Sequence, residues 1–153
     1  MSADTRQALI DSAISLFSTK WYATVSVAEI CRKARLSNGA FYRHFHSKEE
    51  IFCTILDYVV DQIEKNLEVL RYHAPQDKTR SFVTIIYDFS QEHTALVRVF
   101  REGQYRLFEY ERKLKSVYER AFEFVYSRHP TTAEYLFAVA GLRFASIRAA
   151  MHQ

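Results

Sequence analysis

Glycine and proline are scarce in this chain, three and two among 153 residues. That leaves too little turn material for many short strands and favours long helices with brief connections. Cysteine is equally sparse. Cys31 and Cys53 cannot build a disulfide framework, and the simplest reading is reduced thiols in a cytoplasmic protein. No apolar run approaches the roughly 18 residues that cross a membrane. The start, MSADTRQALI, has neither the basic residues nor the apolar stretch of a signal peptide. Also missing are a nucleophile–base pair, a glycine-rich phosphate loop and a set of metal ligands. An enzyme, a metal centre and a bound cofactor are therefore not expected. His44 and His46 stand two apart, point in different directions on a helix, and have no carboxylate or cysteine to complete a set.

What is present is ordinary in bulk and uneven in detail. Hydrophobic residues make up 48% and charged residues 25%, the balance of a globular protein of one domain or of a small module joined to a larger one. Aromatics are plentiful, with 12 Phe and 10 Tyr. The net charge of +3 is concentrated at one end. Residues 1–48 carry seven basic side chains (Arg6, Lys20, Arg32, Lys33, Arg35, Arg43, Lys48) against Asp4, Asp11 and Glu29, an excess of +4. The remainder holds fourteen basic and fifteen acidic residues, or −1. A basic first third is a modest sign of a nucleic-acid-binding end.

Periodicity is helical throughout. Leu9, Ile10, Ala13, Ile14 and Phe17 form one apolar stripe on a helix over about 6–20. Ser26 with Glu29 is a capping box that starts a second helix, whose buried side is Val27, Ile30, Cys31 and Ala34. Ser37 repeats the cap signal after a short break, and Ser47 with Glu50 opens a longer helix. Phe52, Leu56, Val59, Ile63, Leu67 and Leu70 carry that helix to about Tyr72, before Pro75. Further helices are expected over 82–90, over 96–100 with Gly103 as a break, over 105–126, and after a capping box at Thr131 and Glu134. The run ERKLKSVYER, 111–120, reads as a solvated helix face.

The segment SNGAFYRHFHSKEE, 37–50, is both greasy and basic. On a helix over about 38–45, Phe41 and Phe45 share the buried face, while Asn38, Gly39, Ala40, Tyr42, Arg43 and His44 fall on the other rows. Small, polar and basic residues let a helix approach base edges while its flanks hold phosphates. With the preceding short helix and tight turn this makes a helix-turn-helix, whose second helix enters the major groove. Lys48 and the amides behind Ser47 sit at a helix N-terminus, a seat for phosphate.

Residues 6–56 resemble the DNA-binding domain of TetR-family transcriptional regulators. ALIDSAISLF and SVAEICRKARLSNGAFYRHFHSKEEIF carry the likeness, through Ala34, Leu36, Ser37, Gly39, Phe41, Tyr42, His44, Phe45, Ser47, Lys48 and Glu49. Two positions depart from the family pattern. Trp21 and Arg35 stand where glycine is usual, so Arg35 must adopt a positive φ or shift the turn. The resemblance implies phosphate contacts by Tyr42, His44 and Lys48, joined by Ser26 and Ser37, with the basic Arg43 beside them. Asn38 and Ala40 are the candidates for base contacts, Asn to adenine and the Ala methyl to thymine.

The same resemblance implies an all-α protein of two parts: a three-helix helix-turn-helix domain over 1–46, and a helical effector-binding and dimerising bundle over 47–153, with 47–72 connecting them. It implies a ligand-responsive repressor that binds a palindromic DNA operator as a homodimer and is released by a small apolar or aromatic effector, with no membrane role. The family usually closes its dimer with two C-terminal helices, and against that pattern a chain written to Gln153 would lack the last; the expectation is either a truncated product or a shorter member that dimerises differently, with the small-residue row Ala138, Gly141, Ala145 and Ala149 exposed. Tyr58, Phe82, Phe89, Phe100, Tyr105, Phe108, Tyr118, Phe122 and Tyr135 suit the lining of an effector pocket, although core packing explains most of them singly. Two other classes fit the same composition. One is a helical small-molecule-binding protein; the other is a sequence-neutral DNA-binding protein with salt-dependent affinity.

Overall fold

The computed structural model describes residues 2–70, 88–106 and parts of 112–133. Among these the chain is all helical. Helix α1 spans Ser2–Phe17, a 3-10 turn spans Tyr22–Thr24, α2 spans Val27–Ala34 and α3 spans Asn38–Tyr42. The long α4 spans Lys48–Leu70, and α5 spans Thr94–Arg106.

Local chemistry explains the helix starts. Ser26 Oγ accepts from Glu29 N at 3.1 Å, Ser37 Oγ from Ala40 N at 3.1 Å, and Ser47 Oγ from Glu50 N at 3.1 Å. Each hydroxyl satisfies an amide that has no partner within its helix. The Glu50 carboxylate reaches back to His46 N at 2.5 Å, which tightens the entry into α4. Helix α2 ends at Arg35, which takes the left-handed conformation, φ 58 and ψ 39. Arg35 N donates to Arg32 O at 3.2 Å and Leu36 N to Cys31 O at 2.9 Å. This is the paired-bond stop that usually ends in glycine. Arg35 therefore accepts the positive φ. Trp21, at φ −62, has no need of glycine.

One continuous apolar cluster holds the helices together. It joins Leu9, Ala13 and Phe17 of α1 to Ile30 of α2, Phe41, Phe45, then Ile51, Phe52, Ile55, Leu56 and Val59 of α4, and Leu96, Val99 and Phe100 of α5. Phe17, Tyr22 and Phe52 form its aromatic knot, with ring centroids 4.6 to 5.5 Å apart. The cluster crosses the expected domain boundary at residue 46, because the first three turns of α4 are part of the floor on which α1–α3 sit.

Two expectations change. Gly103 is not a break: α5 runs through it. A Cβ at this position would stand 2.5 Å from Leu56 Cδ1 and 2.6 Å from Cδ2, so glycine lets α5 approach α4 here without displacing the Leu56 side chain. The first helix begins at Ser2 and closes at Phe17, where 6–20 was expected. The helix expected over 105–126 and the small-residue row at 138–149 lie largely or wholly outside the described residues.

Candidate nucleic-acid interface

Helix α2, the turn 35–37 and α3 form the helix-turn-helix. Phe41 and Phe45 are buried and anchor α3 from below. Above them Asn38, Gly39, Tyr42 and Arg43 are exposed, Tyr42 at 56%, with His44 half-buried. Arg32, Lys33 and Arg35 add exposed positive charge along the end of α2 and the turn. The Tyr42 ring stands edge-on to Phe41, with centroids 5.4 Å apart, which fixes its direction. Ser26 and Ser37 are exposed, and each uses an acceptor lone pair in its cap, so the O–H can donate outward to an anionic oxygen. The structure thus brings Ser37, Asn38, Gly39, Tyr42 and Arg43 together on one accessible, basic face.

Gly39 has ordinary space around it. A Cβ there would meet only Ser37 Oγ, at 3.8 Å, and no glycine in the described residues has a positive φ. The fold does not demand glycine at 39; a surface that must come close to α3 would.

Two predicted site residues do something else. Ala40 is only 6% exposed, so its methyl offers little surface to a thymine. It lies beside Phe41 on the helix, and the buried stripe is wide enough to include both. Lys48 is half-buried, with Nζ donating to Tyr22 O at 2.9 Å and Val25 O at 2.8 Å. It also lies 4.3 Å from the Tyr22 ring centroid. Its ammonium is committed to the α1–α2 turn, where a phosphate contact was expected.

Other residues escaped the sequence reading. The Arg6 guanidinium of α1 lies 5.0 Å from the Phe45 ring centroid, at the end of α3. Lys20 pairs with Glu29 across the α1–α2 connection. That hydrogen bond, with the charges of Lys20 and Arg32, holds the Glu29 carboxyl below its ordinary range. Glu102 of α5 accepts from Tyr22 N at 2.7 Å. None of these carries a local spacing signal, since each joins residues far apart in sequence.

The aromatic pocket candidates disperse. Tyr58 is 48% exposed on α4. Phe100 is buried in the continuous cluster and Phe89 packs against it. Phe122 is half-buried beneath the Arg128 guanidinium, 5.1 Å from the ring centroid. Phe82, Phe108, Tyr118, Tyr135 and the Tyr105 side chain lie outside the described residues. A groove of about 370 Å³ is lined by Asp57, Val60, Asp61, Glu64, Ser116, Val117 and Arg120, without any of the aromatic candidates. Arg120 pairs with Glu64 across it. No helix among the described residues is long and apolar enough to cross a membrane. Nor is there a cluster of His, Cys, Asp or Glu among them that could hold a metal ion.

A capped helix, a left-handed turn and a second helix with a basic outer face, set on a long connecting helix, define a helix-turn-helix protein. Residues 9–54 match the family described as bacterial regulatory proteins, tetR family. The chain belongs to the TetR family. It is 28% identical over 147 residues to the uncharacterised HTH-type transcriptional regulator YuxN of Bacillus subtilis, covering 88% of this chain and 50% of that protein. It is 32% identical over 105 residues to the HTH-type transcriptional regulator EthR of Mycobacterium tuberculosis, covering 67% of this chain and 49% of that protein. The chain thus spans about half the length of these curated relatives. Among solved structures, a transcriptional regulator of Aquifex aeolicus VF5 superposes with a TM-score of 0.69 at 26% identity, over 95% of each chain. The fatty acid degradation regulator FadR of Bacillus halodurans superposes at 0.76 and 16% identity, over 96% of this chain and 84% of that one, a likeness of fold.

Proposed function

We propose that this protein is a DNA-binding transcriptional regulator, a repressor that reads a palindromic operator as a homodimer and is released by a small apolar or aromatic effector. The observation that carries the DNA-binding part is the outer face of α3: Asn38, Gly39, Tyr42 and Arg43 exposed together above a helix pinned by buried Phe41 and Phe45. Asn38 is suited to adenine, Tyr42, Arg43 and His44 to phosphates, and the Ser26 and Ser37 hydroxyls to phosphates at the edges. In a dimer the two α3 helices would enter successive major grooves, about 34–36 Å apart. Family membership supports the repressor, dimer and effector parts, and a role on DNA places the protein in the cytoplasm with its thiols reduced.

The test is selection of genomic fragments by the purified protein, followed by anisotropy at two salt concentrations. A palindromic fragment enriched at physiological salt is the expected result, with affinity lost in Tyr42→Ala. Unpatterned binding that disappears as salt rises would refute operator reading and leave a sequence-neutral binder.

A further inference from the structure

Tyr22, in the turn between α1 and α2, is gripped through its backbone from two sides. Its N–H donates to the Glu102 carboxylate of α5 at 2.7 Å, across 80 residues of sequence. Its carbonyl accepts from Lys48 Nζ, at the first residue of α4, at 2.9 Å. A negative side chain from one helix and a positive one from another thus hold the two polar groups of a single residue. Hydrogen bonds to ionised groups are shorter and about twice as strong as neutral ones.

What Tyr22 holds in turn is the entrance to the helix-turn-helix. Val25 N donates to Tyr22 O at 3.3 Å, and the same Lys48 ammonium grips Val25 O at 2.8 Å. Val25 is buried, and Ser26 directly after it caps α2. The position of Tyr22 therefore sets where α2 begins, and through the Arg35 turn where α3 stands. On the other side, Glu102 is next to Gly103, where α5 presses against fully buried Leu56. That contact fixes the register of α5 on α4 one residue from the tie.

We infer that Glu102 is a positioning residue for the helix-turn-helix: its carboxylate ties α5 to the α1–α2 turn, so the seating of α3 follows the register of α5 on α4. The inference rests on the DNA-binding reading above and adds the residue through which the rest of the chain reaches it. A slide of α5 by about 1 Å takes the pair beyond hydrogen-bonding distance. A ligand that prefers the slid state loosens Tyr22 and lowers operator affinity, to the extent of that preference.

The test compares Glu102→Leu and Glu102→Gln with the unaltered protein. It uses the DNA fragment that the unaltered protein enriches, a random duplex, and hydrogen exchange at the Tyr22 amide in the DNA-free protein. Glu102→Leu removes the acceptor. Affinity for the enriched fragment is expected to fall about tenfold, the scale of one such bond. Binding to the random duplex should fall clearly less, because the basic side chains of the face are all retained and loose phosphate contacts tolerate a shifted α3 better than base reading does. Exchange at Tyr22 should quicken by at least the same factor. Glu102→Gln keeps a carbonyl oxygen and should stay within about threefold of the unaltered protein on every reading. The inference is overturned if Tyr22 exchange is unchanged in Glu102→Leu, if exchange quickens while fragment affinity holds, or if Glu102→Gln fails as badly as Glu102→Leu. An equal loss on the random duplex would overturn it as well. If no fragment is enriched, the operator reading fails, and exchange at Tyr22 still decides whether the tie exists.

Discussion

Replacing Arg35 with glycine separates the needs of the fold from those of the interface. Arg35 sits at φ 58 in the paired-bond stop of α2. A residue with a Cβ in that region costs roughly 1–2 kcal/mol, which glycine avoids. Glycine also gives the unfolded chain more freedom, which offsets about 0.4–1 kcal/mol of the gain. Arg35 is exposed, so little packing is lost. The two backbone bonds, Arg35 N to Arg32 O and Leu36 N to Cys31 O, persist whatever the side chain. Net stabilisation should be about 0.5–1 kcal/mol, or roughly 1–4 °C in Tm for a chain of this size. Urea unfolding followed by circular dichroism should show a higher midpoint with the same slope. DNA affinity should move the other way: if Arg35 neutralises one phosphate, the slope of log affinity against log salt falls by about 0.9 in magnitude. A lower midpoint in Arg35→Gly would refute this reasoning, since it would mean that the arginine side chain contributes more than its backbone conformation costs.

Gly103→Ala should destabilise by about 1–2 kcal/mol, because the new methyl overlaps Leu56 and exceeds the gain in helix propensity. Combining it with Leu56→Ala should recover part of the loss in a double-mutant cycle, and strict additivity would show that the two sites do not meet. Gly39→Ala should raise stability by about 0.5–1 kcal/mol while weakening operator binding, since its Cβ meets no obstacle within the protein. Unchanged DNA affinity there would mean that α3 does not approach the duplex along that row. Glu29→Gln should lower stability at neutral pH. The folded state holds this carboxyl below its ordinary value, so its contribution is complete above the usual carboxylate range and lost as pH falls through the folded value. The gap between the two proteins should therefore close in acid, and a gap that is constant down to pH 3 would remove the Lys20 pairing as its source.

The features legible in the sequence were those with local causes. Ser26, Ser37 and Ser47 announced three helix starts because a cap is a contract between residues three apart. Arg35 was singled out by the resemblance, because glycine is usual at that turn, and the left-handed conformation it adopts is the reason. Ala40 was assigned to the outer face from helical rows alone, yet a helix as short as Asn38–Tyr42 buries whatever its neighbours cover. Gly103 looked like a break because glycine weakens helices, while its true reason, Leu56, lies on a different helix. The same holds for Lys48, whose charge suggested phosphate but whose partners are two carbonyls of the α1–α2 turn. Glu102 offered no signal at all, because its partner is an amide that any residue would supply.

The unbroken apolar cluster from Leu9 to Val117 has a consequence for how this protein can be taken apart. Cutting after residue 46 would strip Ile51, Phe52, Ile55 and Leu56 from beneath α1–α3 and leave Lys48 on the wrong piece. A transplantable reading head must instead carry α4 at least through Val60, together with whatever replaces Leu96, Val99 and Phe100 above it. Grafts between relatives joined at the start of α4 should fail to fold, whereas grafts joined beyond Val60 that keep the α4–α5 seam should survive.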